Sequence, residues 1–431
     1  MKKLISYHVT LIMLLLSTPL LAQDSNNPDD LLDSDPLKKE FSETMRANGL
    51  KSKSSHSYCV ENEELYGGHG ISTTKRIASV TKLYTTLLAI DSLDLHQRFK
   101  TYFYYNKKNL HIVGGKDPWF EAEKLFYLIQ ELNKKGITEL KTITFDDSFY
   151  ANTRPSSQYQ PHKNQYTSET LAQYFNTRRW SQRTKYFYNK TIEFAEKEGY
   201  TIKLGKLKMK AQTIGFSQIN PLKNFKDTAT YIHTSRPFHA ILKGMNSKSK
   251  NFVSEFIWNR IEDKDLKLKD MNLKDSTVSL NNGSGLPIKS SKSRKDNTAS
   301  CAQVLAMLKE LKEKIKIANF DLDDLIMHGS DVGTFEKRMK KDDTQAEVKN
   351  QVFAKTGTVR NTSALAGFMY TDNSDTPMNF VVLNHTTSSR VGRKFQDELI
   401  TKAYQKFKAK DNTPYQYKDR SIFPLDAEFF D

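Results

Sequence analysis

The sequence predicts an α+β protein with a smaller α/β unit set into it. Three observations carry this reading. Apolar residues recur at helical spacing in three separate segments, the C-terminal part holds paired strand-like runs, and a strand–helix–strand order surrounds Gly136. Residues 23–50 open on an Asp/Asn/Pro-rich stretch that reads as a loose tail. After Ser79, the side chains of Leu83, Leu87 and Ile90 give a helix one apolar face. A Tyr/Phe-rich strand ends at Lys107-Lys108. Residues 110–113 follow as a second strand, closed by Gly114-Gly115 and a turn around Asp117-Pro118. Leu125, Leu128, Ile129 and Leu132 form an amphipathic helix that Gly136 stops. Residues 142–145 alternate as a half-buried strand, whereas residues 151–200 are polar and aromatic with no clear period. This order places a separate α/β unit within roughly 98–235. Residues 241–257 read as one helix. Residues 300–317 read as another, with Leu305, Leu308 and Ile315 inward. Residues 364–370 and 379–384, parted by the polar turn 372–377, read as an antiparallel hairpin. There are no internal repeats.

The chain has 431 residues, 37% hydrophobic and 27% charged, which is globular composition with length for more than one domain. Lys2 and Lys3 precede an apolar run at 11–16 and then Leu20-Leu21-Ala22, the pattern of a secretory signal peptide cut after Ala22. The run is too short to span a bilayer, and no later stretch qualifies. The formal charge of +16 drops to +14 without those two lysines. A basic exported protein meets anionic partners, or else simply carries a lysine-rich solvated surface. Nucleic acid is not expected, because export removes it and no reader motif is present. Cys59 and Cys301 lack CxxC spacing, so zinc and thioredoxin-like chemistry are disfavoured. An oxidising compartment would permit a disulfide between them. Cys301, on the apolar face of its helix, reads better as a small buried hydrophobe. The ten histidines form no HExxH and no cluster, so no metal site is read.

Chemistry concentrates in three short motifs in a fixed order: Ser79-Val80-Thr81-Lys82, Ser249-Lys250-Asn251 and Lys355-Thr356-Gly357. SxxK alone is weak, since Ser72/Lys75 and Ser247/Lys250 match it too. Only Ser79 opens an apolar helix. There Ser79 and Lys82 lie one turn apart on one face, and the helix N-terminus favours an oxyanion. Lys82 can act as a base only if burial or a neighbouring cation lowers its pKa. Otherwise Ser79 is a helix cap and Lys82 a solvated lysine. Ser249 offers a proton-relaying hydroxyl and Asn251 an orienting amide, though the stretch alone is no more than a polar helix start. Lys355-Thr356-Gly357-Thr358 follows Val352-Phe353 on a strand, where a glycine marks close approach by a ligand or backbone. An extended peptide can pair with such an edge. Alone, this motif would be an ordinary turn.

Together these motifs resemble the serine penicillin-recognising enzymes. Ala78-Ser79-Val80-Thr81-Lys82-Leu83, the run from Ile112 to Pro118, the run from Met245 to Phe252, Gly283-Ser284-Gly285-Leu286 and Gly333-Thr334-Phe335 narrow the resemblance. They are similar to the D-alanyl-D-alanine carboxypeptidase/endopeptidase family, the class C low-molecular-mass penicillin-binding proteins of peptidase family S13, over about residues 55–390. The resemblance implies a transpeptidase-like α+β fold, an antiparallel five-stranded sheet flanked by helices with a shortened α/β insertion. The boundaries expected are a signal peptide at 1–22, a catalytic domain at 23–97 plus 236–431, and an inserted domain at 98–235. It implies a serine D,D-peptidase that needs no cofactor, acts in the periplasm on D-Ala-D-Ala stem peptides, on D-alanyl cross-links of peptidoglycan or on both, and is acylated by β-lactams. Carried over, Ser79 is the nucleophile, Lys82 its base, Ser249 the proton shuttle and Asn251 a positioning amide. Lys355, Thr356, Gly357 and Thr358 bind substrate, and the N–H groups of Ser79 and Thr358 form the oxyanion hole. The alternatives are a β-lactamase of the same fold, for which no deacylating carboxylate is evident, and a non-catalytic wall-binding protein.

Three departures stand out. Lys250 occupies a position where the family usually has Asp, which bears on substrate preference more than on catalysis. Lys116 stands where glycine is common. Ser249 follows Ser79 by only 170 residues, so an accessory subdomain is expected to be reduced and the cleft more open to cross-linked substrate.

Overall fold

The computed structural model describes residues 35–152, 164–197, 204–289, 293–372, 376–409, 415 and 428–429. The expected signal peptide lies outside them. Among these residues, ten strands have four or more residues. They are β1 His56–Glu61, β2 Tyr66–His69, β3 Lys100–Asn106, β4 Asn109–Val113, β5 Glu139–Phe145, β6 Lys210–Phe216, β7 Ala229–Thr234, β8 Val352–Val359, β9 Thr362–Met369 and β10 Met378–His385. They form two main sheets.

The first sheet has the order β8-β9-β10-β1-β2, antiparallel throughout. Its alternation explains its two-sided packing. Cys59, Phe353, Ala364, Ala366, Phe368, Val381 and Leu383 face a helical layer that includes Thr81–Ser92, Phe238–Lys248 and Cys301–Ile317. Tyr58, Val60, Val352, Ala354, Leu365, Phe380 and Val382 face the helices Lys38–Ala47 and Ser389–Phe407. This is the five-stranded α+β arrangement that the resemblance implied.

The second sheet runs β7-β3-β4-β5-β6, with the short strand Glu428–Phe429 added at the β7 edge. Lys107 and Lys108 both take positive φ (43 and 71), the geometry of a tight hairpin turn between β3 and β4. The pairs β4–β5 and β5–β6 are parallel. The crossover from β4 to β5 is the helix Ala122–Lys134, which ends before Gly136 at φ 75. Its Leu125, Leu128, Ile129 and Leu132 pack on Leu110, Ile112, Leu140, Ile143 and Phe145. The helix Cys301–Ile317 starts at Ser300, whose hydroxyl accepts from Gln303 N–H.

Two expectations change. Residues 241–257 are not one helix. They divide into Phe238–Lys248 and Asn251–Arg260, because Ser249 takes a left-handed conformation (φ 53). The two cysteines are also not free. A disulfide joins Cys59 on β1 to Cys301 at the start of its helix, across 242 residues of chain. Both are fully buried, so the small-hydrophobe reading had the environment right and the bonding wrong. Closing so long a loop removes much unfolded-state entropy. Replacing both cysteines by serine should cost about 2–5 kcal/mol in denaturant-unfolding free energy. An unchanged midpoint in this variant would show that the link carries no stability.

Candidate active site

The residue Ser79 lies in a 3-10 turn, Ala78–Val80, that leads into the helix Thr81–Ser92. Ala78 takes a left-handed φ of 46, and its carbonyl accepts from Thr81 Oγ1 at 2.7 Å. Gly285, at φ 75, lies against that carbonyl, and a Cβ there would collide with it. The Ser79 turn is thus held by local backbone and by the loop that contains Gly285.

Lys82 is fully buried. Its Nζ lies 3.2 Å from Ser79 Oγ, 2.8 Å from Asn251 Oδ1 and 2.8 Å from the Ser284 carbonyl oxygen. Oδ1 and the carbonyl oxygen can only accept. A neutral amine gives each of them one N–H and turns its lone pair to the serine hydroxyl, which makes it a proton acceptor. Burial, followed by the nearby Lys355 ammonium, pushes Lys82 well below the ordinary lysine value, while Glu255 opposes this. Burial also pushes Lys355 down to about 7.

The second motif forms the break between two helices. Ser249 turns the chain, Lys250 N–H reaches back to the Met245 carbonyl at 3.1 Å, and Asn251 begins the next helix aimed at Lys82. Gly333-Thr334 packs against this turn. Thr334 N–H donates to the Ser247 carbonyl at 2.9 Å, and a Cβ at Gly333 would strike the same carbonyl. Thr334 Oγ1 then meets Thr356 Oγ1 at 2.8 Å.

The third motif is on the edge strand β8. Gly357 lets it approach the Ser79 turn, since a Cβ there would stand 3.1 Å from Ser79 N and 2.8 Å from the Ile77 carbonyl oxygen. Lys355 is buried, with Nζ 2.9 Å from the Thr356 carbonyl oxygen. Ser79, Ser249, Asn251, Thr356 and Thr358 line one cavity of about 950 Å³. Ser249 makes no hydrogen bond to Ser79 or Lys82 in this structure.

Sequence reasoning missed two partners. Glu255 accepts from Ser284 N–H (3.0 Å) and Gly283 N–H (3.3 Å), so it holds the loop whose carbonyl accepts a hydrogen bond from Lys82. Nothing in its neighbours marks it. Glu121 pairs with Lys250 and accepts from Trp119 Nε1 at 3.3 Å, while the Lys250 ammonium lies 5.6 Å from the Trp119 ring centroid. Burial opposes charge on Lys250, but Glu121 and then Glu123 hold it above the ordinary lysine value. The departure from Asp therefore has a counter-charge. Lys116 takes φ 54, the left-handed region where glycine is favoured.

Glu121→Gln would leave the Lys250 ammonium without its carboxylate. It should cost about 1–3 kcal/mol in thermal unfolding and slow acylation by a fluorescent penicillin. Adding Lys250→Gln should recover most of the stability. Equal melting of wild type and Glu121→Gln would contradict the pairing.

The chain was also compared with known proteins. The model of the D-Ala-D-Ala carboxypeptidase 3 (S13) family matches residues 59–186 and 189–406. No curated protein matches. Among solved structures, the Bd0816 predatory endopeptidase of Bdellovibrio bacteriovorus, solved with the immunity protein Bd3460, is similar at TM-score 0.70 and 23% identity. The match covers 87% of this chain and 97% of that one. Bd3459, a predatory peptidoglycan endopeptidase of the same organism, matches at TM-score 0.69 and 22% identity, covering 87% and 96%. Penicillin binding protein 4 of Haemophilus influenzae matches at TM-score 0.52 and 17% identity, covering 86% and 99%. The structural likenesses carry the fold, and the match over both halves of the sequence carries the family: the chain belongs to the D-Ala-D-Ala carboxypeptidase 3 (S13) family of serine peptidases.

Proposed function

We propose that this serine D,D-peptidase is exported to the periplasm and hydrolyses D-alanyl bonds of peptidoglycan, including cross-links, through an acyl-enzyme on Ser79. The observation that carries the mechanism is the buried Lys82 amine, 3.2 Å from Ser79 Oγ with both of its N–H groups given to acceptors. Lys82 takes the Ser79 proton as Oγ attacks the D-alanyl carbonyl. The N–H groups of Ser79 and Thr358 hold the oxyanion, and Lys355, Thr356 and Thr358 hold the terminal carboxylate. Gly357 gives that strand the room to approach the carbonyl. As the C–N bond breaks, Lys82 returns that proton through the Ser249 hydroxyl to the leaving amine and is neutral again. Water then gives a proton to Lys82 as it adds to the ester carbonyl, and Lys82 hands that proton to Ser79 Oγ as the C–O bond breaks, releasing the acid, which ionises to the free carboxylate, and the Ser79 hydroxyl. The disulfide supports export to an oxidising compartment. A cavity of about 950 Å³ supports substrate larger than a dipeptide end, in keeping with the short insertion, and the peptidoglycan endopeptidase of similar fold adds support. Glu255, the buried carboxylate near Lys82, has both oxygens occupied by backbone N–H groups. It holds the Gly283–Ser284 loop, and among the described residues no carboxylate hydrogen-bonds Ser79 or Lys82 to drive the fast deacylation that a β-lactamase needs.

Digestion of purified sacculi tests this reading. Wild type should deplete cross-linked dimers and Ser79→Ala should not; identical muropeptide profiles would refute the mechanism. A strong preference for free pentapeptide over cross-linked dimer would remove the endopeptidase part. The pH profile is a second test. Lys355 holds a carboxylate only while protonated. Its folded value of about 7 therefore predicts that kcat/KM for a carboxylate-ended peptide falls above about that pH. The same peptide with its end amidated should lack that alkaline limb. Matching profiles for both peptides would remove Lys355 from carboxylate binding.

A further inference from the structure

The cavity that opens on Ser79 extends beyond the reacting groups. Past Thr356 and Thr358 its wall is formed by residues 333–341 and by the start of the helix Ser389–Phe407. That wall carries seven cationic side chains against three carboxylates. The carboxylates are largely committed. Asp397 is bound by the buried Arg338 guanidinium at 2.7 and 2.8 Å, and Glu398 accepts from Asn48 at 2.6 Å and lies 3.7 Å from Lys394. Lys337, Lys340, Lys341, Arg390 and Arg393 are exposed and have no ion pair with a described residue. A lysine-rich protein scatters such groups over its surface. Here they converge on the mouth of the reacting cleft, where low-dielectric walls focus their field.

The clamp beneath them fixes their place. Arg338 also donates to Gln396 Oε1 at 3.1 Å, so the 333–341 segment is tied to the C-terminal helix. The same segment reaches Thr356 through Thr334. The cations are therefore in register with the residues proposed to hold the terminal carboxylate of the substrate.

We infer that this basic groove binds the leaving portion of the substrate, and that it selects leaving residues bearing a carboxylate beyond the terminal one. This rests on the assignment of Thr356 and Thr358 to the terminal carboxylate. The groove is continuous with the scissile position, so its occupant is part of the substrate molecule, an acidic peptide. Guanidinium groups of Arg390 and Arg393 suit a carboxylate fork, and the lysines add point charge.

Two matched N-acylated peptides test the inference. They end in D-Ala-D-Glu or D-Ala-D-Gln and differ only in the charge of the leaving side chain. Wild type should favour the acidic peptide by about tenfold in kcat/KM, mostly through KM, and the preference should shrink between about 0.05 M and about 0.5 M salt. Two variants, Lys337→Gln/Lys340→Gln/Lys341→Gln and Arg390→Gln/Arg393→Gln, should each lower the preference, with melting temperature recorded as the folding control. Equal rates on the two peptides, or a preference unmoved by salt and by both variants, would overturn the groove. Acylation of the same wild-type preparation by fluorescent penicillin separates the two levels. Acylation without the preference overturns the groove alone, whereas no acylation overturns the serine-peptidase mechanism and the groove with it.

Discussion

An amine with no exposure to water is the constraint around which this site is built. Lys82 is removed from solvent completely, and a buried ammonium there would need full compensation. Burial and then the nearby Lys355 charge favour the neutral form, and the two acceptors and one hydroxyl fit an amine that gives two N–H groups and takes one hydrogen bond. Each acceptor comes from a different part of the chain. Asn251 begins a helix 169 residues away, and the Ser284 carbonyl belongs to a loop 202 residues away. The surroundings of the Lys82 amine are therefore assembled by tertiary structure, and every element that fixes those two groups helps to hold the amine in place.

Those elements are held mainly by close backbone approach. Gly285 lies under the Ala78 carbonyl, Gly357 lies beside Ser79 N, and Gly333 lies against the Ser247 carbonyl. A side chain at any of the three would separate two motifs. The region containing the second sheet reaches this centre through Glu121 and Trp119. The Trp119 ring occupies the space a Cβ at Gly244 would need, and Glu121 neutralises Lys250. The 116–121 segment thus acts on the turn at Ser249 by charge and by shape.

Much of this was legible in the sequence wherever a long period or a local cap set the structure. The amphipathic helix after Ala122, the helix that follows Ser300 and the β9–β10 hairpin follow from side-chain spacing alone. The family was legible because several short motifs recur in order. The helix break at Ser249 was not, because apolar spacing continues on both sides of it. Its left-handed turn is stabilised by contacts with Thr334 and by the neighbouring Trp119. The Cys59–Cys301 bond and the Glu121–Lys250 pair span 242 and 129 residues, and no local rule connects such positions. Lys250 was visible as a departure, but its counter-charge lay in a different motif. The basic groove needed the fold too, since residues 337–341 and 390–394 are adjacent only after packing.

The central claim is that Lys82 is a neutral amine at working pH. An NMR titration of protein labelled at the lysine Cε carbons, with the Lys82 signal assigned by its loss in Lys82→Arg, measures this directly. The account predicts a titration midpoint for Lys82 well below the ordinary lysine value of 10.5. A Lys82 signal that stays in its protonated position up to about that value would contradict it.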